Sequence, residues 1–113
     1  MIKVELFDQN GRISGFSVSG HSGYAEAGSD IVCASVTTAV RFAECTINDV
    51  LGNHCRCKVE ENKDMPRVTL TLPAVCDDED AVQAVLGGFV LTVCALRDDY
   101  PDYIEVLEVQ NDA

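Results

Sequence analysis

The spacing of apolar residues switches twice from alternation to a helical period, and this limits the fold more than any other feature. Residues 2–8 and 13–21 have the alternation of strands, and between them lies Asn10-Gly11, a pair that favours a tight turn between two strands. From Val32 to Leu51 apolar residues recur at three- and four-residue steps, which predicts an amphipathic helix. The first half therefore reads as two strands followed by a helix.

The second half repeats this order. Residues 54–62 and 65–73 form a predicted hairpin, residues 77–101 a second helix, and residues 103–110 a last strand. At 113 residues the chain is long enough for one domain. We therefore predict a single α+β domain over residues 1–113, in the order ββαββαβ, whose mostly antiparallel sheet carries two helices packed on one face.

Local signals place the helix ends. Ser29 or Asp30 is suited to cap the first helix, and Gly52 to end it. For the second helix, Asp77 or Asp78 is a candidate cap and Pro101 a stop. The predicted buried positions are Val32, Val36, Ala39, Val40, Ala43, Ile47, Val50 and Leu51 on the first helix, and Val82, Val85, Leu86, Phe89, Val93 and Leu96 on the second. Because glycine weakens a helix, Gly87-Gly88 suggests close approach of the first helix.

The charge balance limits the partners. With 8 Lys and Arg against 19 Asp and Glu, the net charge of −11 argues against nucleic-acid binding and is compatible with a basic peptide or protein partner. No apolar run approaches the roughly 20 residues of a membrane span, so we expect no membrane association. The N-terminal segment lacks the features of a signal peptide, which predicts a cytoplasmic protein.

The six cysteines fit that location as reduced thiols better than as a disulfide framework. Cys45 and Cys94 lie at positions typical of a helical core.

The candidate site is the segment "GHSGYAEAGSDIVCAS", residues 20–35. A thiol attacks as the thiolate, which a helix N-terminus or a neighbouring imidazolium favours. If Ser29 or Asp30 caps the helix, Cys33 falls in its first turn, where unpaired amides could also bind an oxyanion. His21 ends the predicted second strand, and Asp30 could orient its imidazole or cap the helix. The residues alone therefore leave two interpretations, a catalytic group of Cys33, His21 and Asp30, or a capped helix with an incidental loop histidine.

The predicted helix also places Cys33 on a polar stripe with Thr37, Arg41, Glu44 and Asn48. A cysteine present only for packing would sit more naturally on the apolar stripe. The loop from Gly23 to Gly28 is small, and we expect it to close over an extended peptide.

The run Gly20-His21, followed by Gly28-Ser29-Asp30-Ile31-Val32-Cys33-Ala34, resembles the signature of the Prp family of ribosomal-processing cysteine proteases. The resemblance implies that Cys33 is the nucleophile, His21 the general base and Asp30 the acidic residue beside the cysteine. It assigns to Gly20 the turn before the histidine, and Gly28 and Ser29 belong to the substrate loop. Thr37 stands where family members often have serine.

The resemblance further implies a homodimer that removes the N-terminal extension of a large-subunit ribosomal protein precursor, after paired phenylalanines. A rival interpretation from another class is a non-catalytic ribosome-assembly module that holds a basic peptide in the same cleft.

Two other patterns are weaker. His54, Cys55 and Cys57 could suggest a metal site, but no second spaced pair supplies the remaining ligands, so we predict no metal. The acidic run 77–80 suits a helix start. Phosphate-binding glycine motifs do not occur in the sequence, and we predict no cofactor.

Overall fold

The structure, a computed structural model, describes residues 1–20, 27–62 and 65–110, with the backbone alone for residues 27–30. Over these residues the chain forms five strands and two helices in the predicted order. In chain order they are β1 (Ile2–Gln9), β2 (Arg12–Ser19), α1 (Ala27–Cys45, continued by a π-helical turn Thr46–Val50), β3 (Arg56–Glu60), β4 (Arg67–Thr71), α2 (Glu79–Asp99) and β5 (Ile104–Gln110).

The strands form one sheet in the order β3-β4-β2-β1-β5. Three neighbouring pairs are antiparallel, whereas β5 runs parallel to β1, with Ile2 opposite Ile104. The predicted α+β fold with a mostly antiparallel sheet is therefore confirmed.

The first hairpin turns as its sequence predicts. Asn10 and Gly11 have φ values of 55° and 82°, the left-handed conformations of a type I′ turn. The Gly11 N–H donates to Asp8 Oδ1 at 2.9 Å, which fixes the turn from within. One register shift, between Phe7 and Asp8, interrupts the ladder beside it.

The core lies between the sheet and the helices. Phe16 of β2 stacks on Phe89 of α2, with ring centroids 4.0 Å apart. The predicted apolar stripe of α2 is confirmed, because Val82, Leu86, Phe89 and Val93 are buried and Val85 and Leu96 pack against them. On α1 the buried positions are Val32, Val36, Val40, Ala43 and Ile47.

Three predictions about α1 are wrong. The helix begins at Ala27, so neither Ser29 nor Asp30 is its N-cap. Val50 is exposed because the last turn is π-helical, with the Leu51 N–H donating to Thr46 O, and the wider turn rotates Val50 outward. Cys45 is exposed because it continues the outer face of Thr38 and Phe42. Gly52, with φ 73°, follows the helix as predicted.

The ends of α2 agree with the sequence, but its glycines do not. Asp78 caps the helix by accepting from the Ala81 N–H, and the helix stops before Pro101. A Cβ added at Gly87 or Gly88 would meet no atom within 4 Å among the described residues. The prediction of close backbone approach at these glycines is therefore wrong.

By length and composition alone, α2 is long and apolar enough to cross a membrane, contrary to the sequence prediction. This is weak evidence for a membrane span, because core helices meet the same criterion and α2 packs its apolar stripe on the sheet. Only 22% of its most apolar window is buried, so α2 presents a broad outward surface.

Candidate active site

Cys33 lies half-buried on α1 and lines a cleft of about 200 Å³ between that helix and the ends of β2, β3 and β4. Apolar side chains form much of the cleft, and Thr37 and Gly20 line it beside the thiol. The cleft thus exposes a thiol next to a surface that can hold a peptide.

Gly20 brings the end of β2 to this cleft. Its φ of 82° favours glycine, and a Cβ here would lie 2.6 Å from the Met1 carbonyl oxygen. Its N–H donates to Pro66 O at 2.9 Å, which ties the strand end to the start of β4. Gly20 therefore lines the cleft that holds Cys33, whereas the predicted turn before His21 involves residues outside the described part of the chain.

Thr37 is one helical turn after Cys33, as the sequence predicts. Its hydroxyl donates to the Cys33 carbonyl oxygen at 2.8 Å. The hydroxyl proton is therefore used within the helix, while the oxygen can still accept a hydrogen bond from the cleft. Thr37 lines the cleft without supplying a free donor in this arrangement.

The predicted activation of Cys33 by a helix N-terminus needs correction. Because α1 begins at Ala27, Cys33 is in the second turn. Unpaired amides and the favourable field of a helix end belong mainly to the first turn. The Cys33 amide is therefore no ready oxyanion donor.

The remaining predicted site residues are not tested by this geometry. His21 lies outside the described residues. Gly28, Ser29 and Asp30 lie on the described backbone of α1, but their side chains are outside the description. The structure brings Cys33, Thr37 and Gly20 together.

The cleft continues along α1 into a second cavity of about 330 Å³. Both cavities share Val18, Val36, Val59 and Val68 as walls. Arg41, Glu44 and Cys57 line the second one. Together the cavities form one groove, called here the α1 groove, with Cys33 at one end and Glu44 at the other.

Most residues of the predicted polar stripe line the α1 groove. Thr37, Arg41 and Glu44 line it with Cys33, whereas Asn48 bonds to the backbone of Cys55 instead. Burial and the neighbouring Glu44 carboxylate raise the pKa of Cys57 to about 12. Cys57 is therefore kept as the thiol and is poorly suited to act as a nucleophile.

Two further cysteines are buried. Burial raises the pKa of Cys55 and of Cys76, so both stay protonated at neutral pH. Each of the six cysteines is a free thiol. Among residues 1–20, 27–62 and 65–110, no group of His, Cys, Asp or Glu is arranged to hold a metal ion.

Sequence reasoning missed the β3–β4 wall of the site, which includes Val59, Glu60, Glu61 and Val68. Val59 is opposite Val68 in the hairpin, with both side chains toward α1. The alternation of the predicted hairpin contained this signal, but the packing of its face on the Cys33 helix required the tertiary structure.

The comparisons agree with the geometry. The structure of SMU.848 from Streptococcus mutans is similar, with a TM-score of 0.87 and 20% identity, over 98% of this chain and 96% of that one. The essential ribosomal processing protease Prp from S. aureus is similar in its complex with a substrate peptide, with a TM-score of 0.79 and 17% identity, over 96% of this chain and 100% of that one.

The same S. aureus protease with a covalently linked product peptide gives a TM-score of 0.78 and 19% identity, over the same shares of the two chains. At these identities the likeness establishes the fold. No curated protein matches the sequence significantly. The model of the family described as cysteine protease Prp matches residues 1–105. With that match across nearly the whole domain, the chain belongs to the Prp family and is a cysteine protease.

Proposed function

We propose that this protease removes the N-terminal extension of a large-subunit ribosomal protein precursor, using Cys33 and His21. The observation that carries the proposal is that Cys33 and Gly20, the residue directly before His21, line one cleft. The chain therefore enters the His21 segment at the cleft that holds the thiol. Membership of the family favours this protease over a non-catalytic assembly module.

In the proposed mechanism His21 takes the proton of the Cys33 thiol, and the thiolate attacks the carbonyl carbon of the scissile bond. His21 then gives the proton to the leaving amine as the carbon–nitrogen bond breaks. Water, deprotonated by His21, cleaves the resulting thioester and restores the thiol. Asp30 orients the imidazole, and Gly28 and Ser29 contact the peptide.

The α1 groove is suited to bind an extended peptide with large apolar side chains. Its apolar walls include five valines, at positions 18, 36, 40, 59 and 68, and its two cavities measure about 200 and 330 Å³. Such walls fit the paired phenylalanines expected before the scissile bond. The net charge of −11 favours approach of a basic precursor and disfavours nucleic acid.

We further propose a cytoplasmic homodimer. Six free thiols suit a reducing compartment.

Between the outer faces of α1 and α2 lies a cavity of about 430 Å³, which includes Thr38, Phe42, Gly88 and Thr92 and no charged side chain. A second copy of so acidic a chain is best accommodated on an uncharged face, because charged surfaces would repel. We name this surface the helix-pair face.

The test is cleavage of a peptide that carries the extension of the host's own ribosomal protein, followed by mass spectrometry. We expect one cut after the phenylalanines, and no cut by Cys33→Ala. The matched control is Cys45→Ala, which removes an exposed thiol from the same helix and should keep full activity. Cleavage by Cys33→Ala would refute the proposed nucleophile.

A further inference from the structure

The cleft that holds Cys33 carries a carboxylate on the wall opposite the thiol. Glu61 directly follows β3 and lines this cleft together with Val59, Pro66 and Val68. Val59 is 64% exposed, so an apolar side chain next to the carboxylate is open to a ligand. The wall thus combines apolar surface with the Glu61 carboxylate, and Glu60 and Arg67 line the same cleft.

The two charged residues that share this cleft with Glu61 also line a cleft on the other face of the sheet and have contacts there. Arg67 lies 3.5 Å from Glu5 and donates to Ser17 Oγ at 3.1 Å, contacts on the sheet face away from the helices. Glu60 is opposite Arg67 in the hairpin and 3.7 Å from Lys58. Glu60 also lines a cleft on that other face. Glu61 is therefore the carboxylate best placed to act in the Cys33 cleft.

We infer that Glu61 is a specificity residue that binds a lysine or arginine of the substrate close to the scissile bond. Such a side chain suits both parts of the wall, because its aliphatic stem covers Val59 and Pro66 while its charged end reaches the carboxylate. The inference rests on the proposed function and adds to it a charge requirement at one position of the peptide.

The experiment uses a series of extension peptides in which single positions near the cut carry lysine, norleucine or glutamate. At one position we expect lysine to exceed norleucine by roughly three- to tenfold in kcat/KM, with glutamate worse still. Glu61→Gln should abolish the preference for lysine, and Glu61→Lys should reverse the order of lysine and glutamate. The preference should shrink as salt is added.

The matched control is Glu105→Gln, which makes the same charge change on exposed β5. It should keep the lysine preference, whereas loss of the preference in both variants would attribute it to net charge and overturn the inference. An unchanged preference in Glu61→Gln would also overturn it.

Binding of the same peptides to Cys33→Ala, measured by fluorescence anisotropy, separates this inference from the proposed function. A lysine preference in binding that depends on Glu61, without cleavage by the wild type, would refute the proposed substrate and support the recognition. Cleavage by the wild type without any lysine preference would support the proposed function and refute the role of Glu61.

Discussion

Single residues of the site depend on backbone conformation as much as on chemistry, and Gly20 is the clearest case. It combines a φ of 82° with a Met1 carbonyl oxygen 2.6 Å from where a Cβ would stand. Gly11 has the same φ, but a Cβ there would meet nothing within 4 Å of it among the described residues. A comparison of substitutions at these two glycines therefore separates the cost of a left-handed φ from the cost of a steric clash.

We therefore expect Gly11→Ala to lower the free energy of unfolding by roughly 1–2 kcal/mol, the usual penalty of the left-handed region. Gly20→Ala should cost clearly more, because the Met1 or Gly20 backbone must also move. Urea unfolding monitored by circular dichroism measures both. Equal losses in the two variants would show that the Met1 contact relaxes without cost.

The reactivity of Cys57 gives a second prediction. Its pKa of about 12, against 9.0 for an ordinary cysteine, means that the folded protein holds this thiol protonated. The associated stability is fully present below pH 9.0 and is lost as the pH rises through about 12. At pH 8, iodoacetamide should modify Cys57 far more slowly than exposed Cys45, as read by peptide mass spectrometry.

Glu44→Gln removes one cause of the raised pKa and should accelerate labelling of Cys57 while leaving that of Cys45 unchanged. In urea the two cysteines should react alike. Labelling of native Cys57 as fast as Cys45 would contradict the described environment.

At the scale of elements, Arg12 joins the first hairpin to the start of α2. Its guanidinium bonds to the Glu79 carboxylate and donates to Pro73 O at 2.8 Å. The hydrogen bond from Arg12 lowers the pKa of Glu79 below its usual 4.5. This contribution to stability is therefore present above pH 4.5 and is lost as the pH falls through the lower folded value.

Replacing Glu79 by glutamine should cost roughly 0.2–1 kcal/mol at pH 7, a small value because the side chain is 38% exposed. Below pH 4 the free energies of unfolding of this variant and of the wild type, measured by urea titration, should become more similar. Glu105→Gln, on the edge strand, is the control for the loss of one charge. A difference in the free energy of unfolding that stays constant below pH 4 would refute the link between the Glu79 pKa and stability.

Element identities were predictable from the sequence because periodicity, the Asn10-Gly11 turn and the Asp78 cap are local signals. The start of α1 was not, since Ser29 and Asp30 are good caps that the helix passes through. The π-helical turn at Thr46–Val50 was also missed, because the apolar residues there still recur at steps close to those of an α-helix. For the site, Cys33, Thr37 and Gly20 could be identified locally, whereas Glu61 and Val59 join it only through packing.

At the scale of the whole molecule, the helix-pair face should hold a second copy. Phe42 is 68% exposed beside Gly88, in a region without charge. Phe42→Asp should shift the protein from dimer to monomer in light scattering after size exclusion, because it places a like charge in the contact of two acidic chains. Val75→Asp, at a residue 86% exposed but outside this face, should remain dimeric. A dimer that survives Phe42→Asp would place the interface elsewhere.

The parallel pairing of β5 with β1 has a consequence for how the chain reaches its native state on the ribosome. Until β5 has emerged, β1 is an edge strand, and Ile2, which lines the Cys33 cleft, lacks its neighbour Ile104. Pairing across so long a stretch of chain is entropically slow. The nascent enzyme should therefore gain the Cys33 cleft late in synthesis, and partial chains that lack β5 should be prone to aggregate through the uncovered strand.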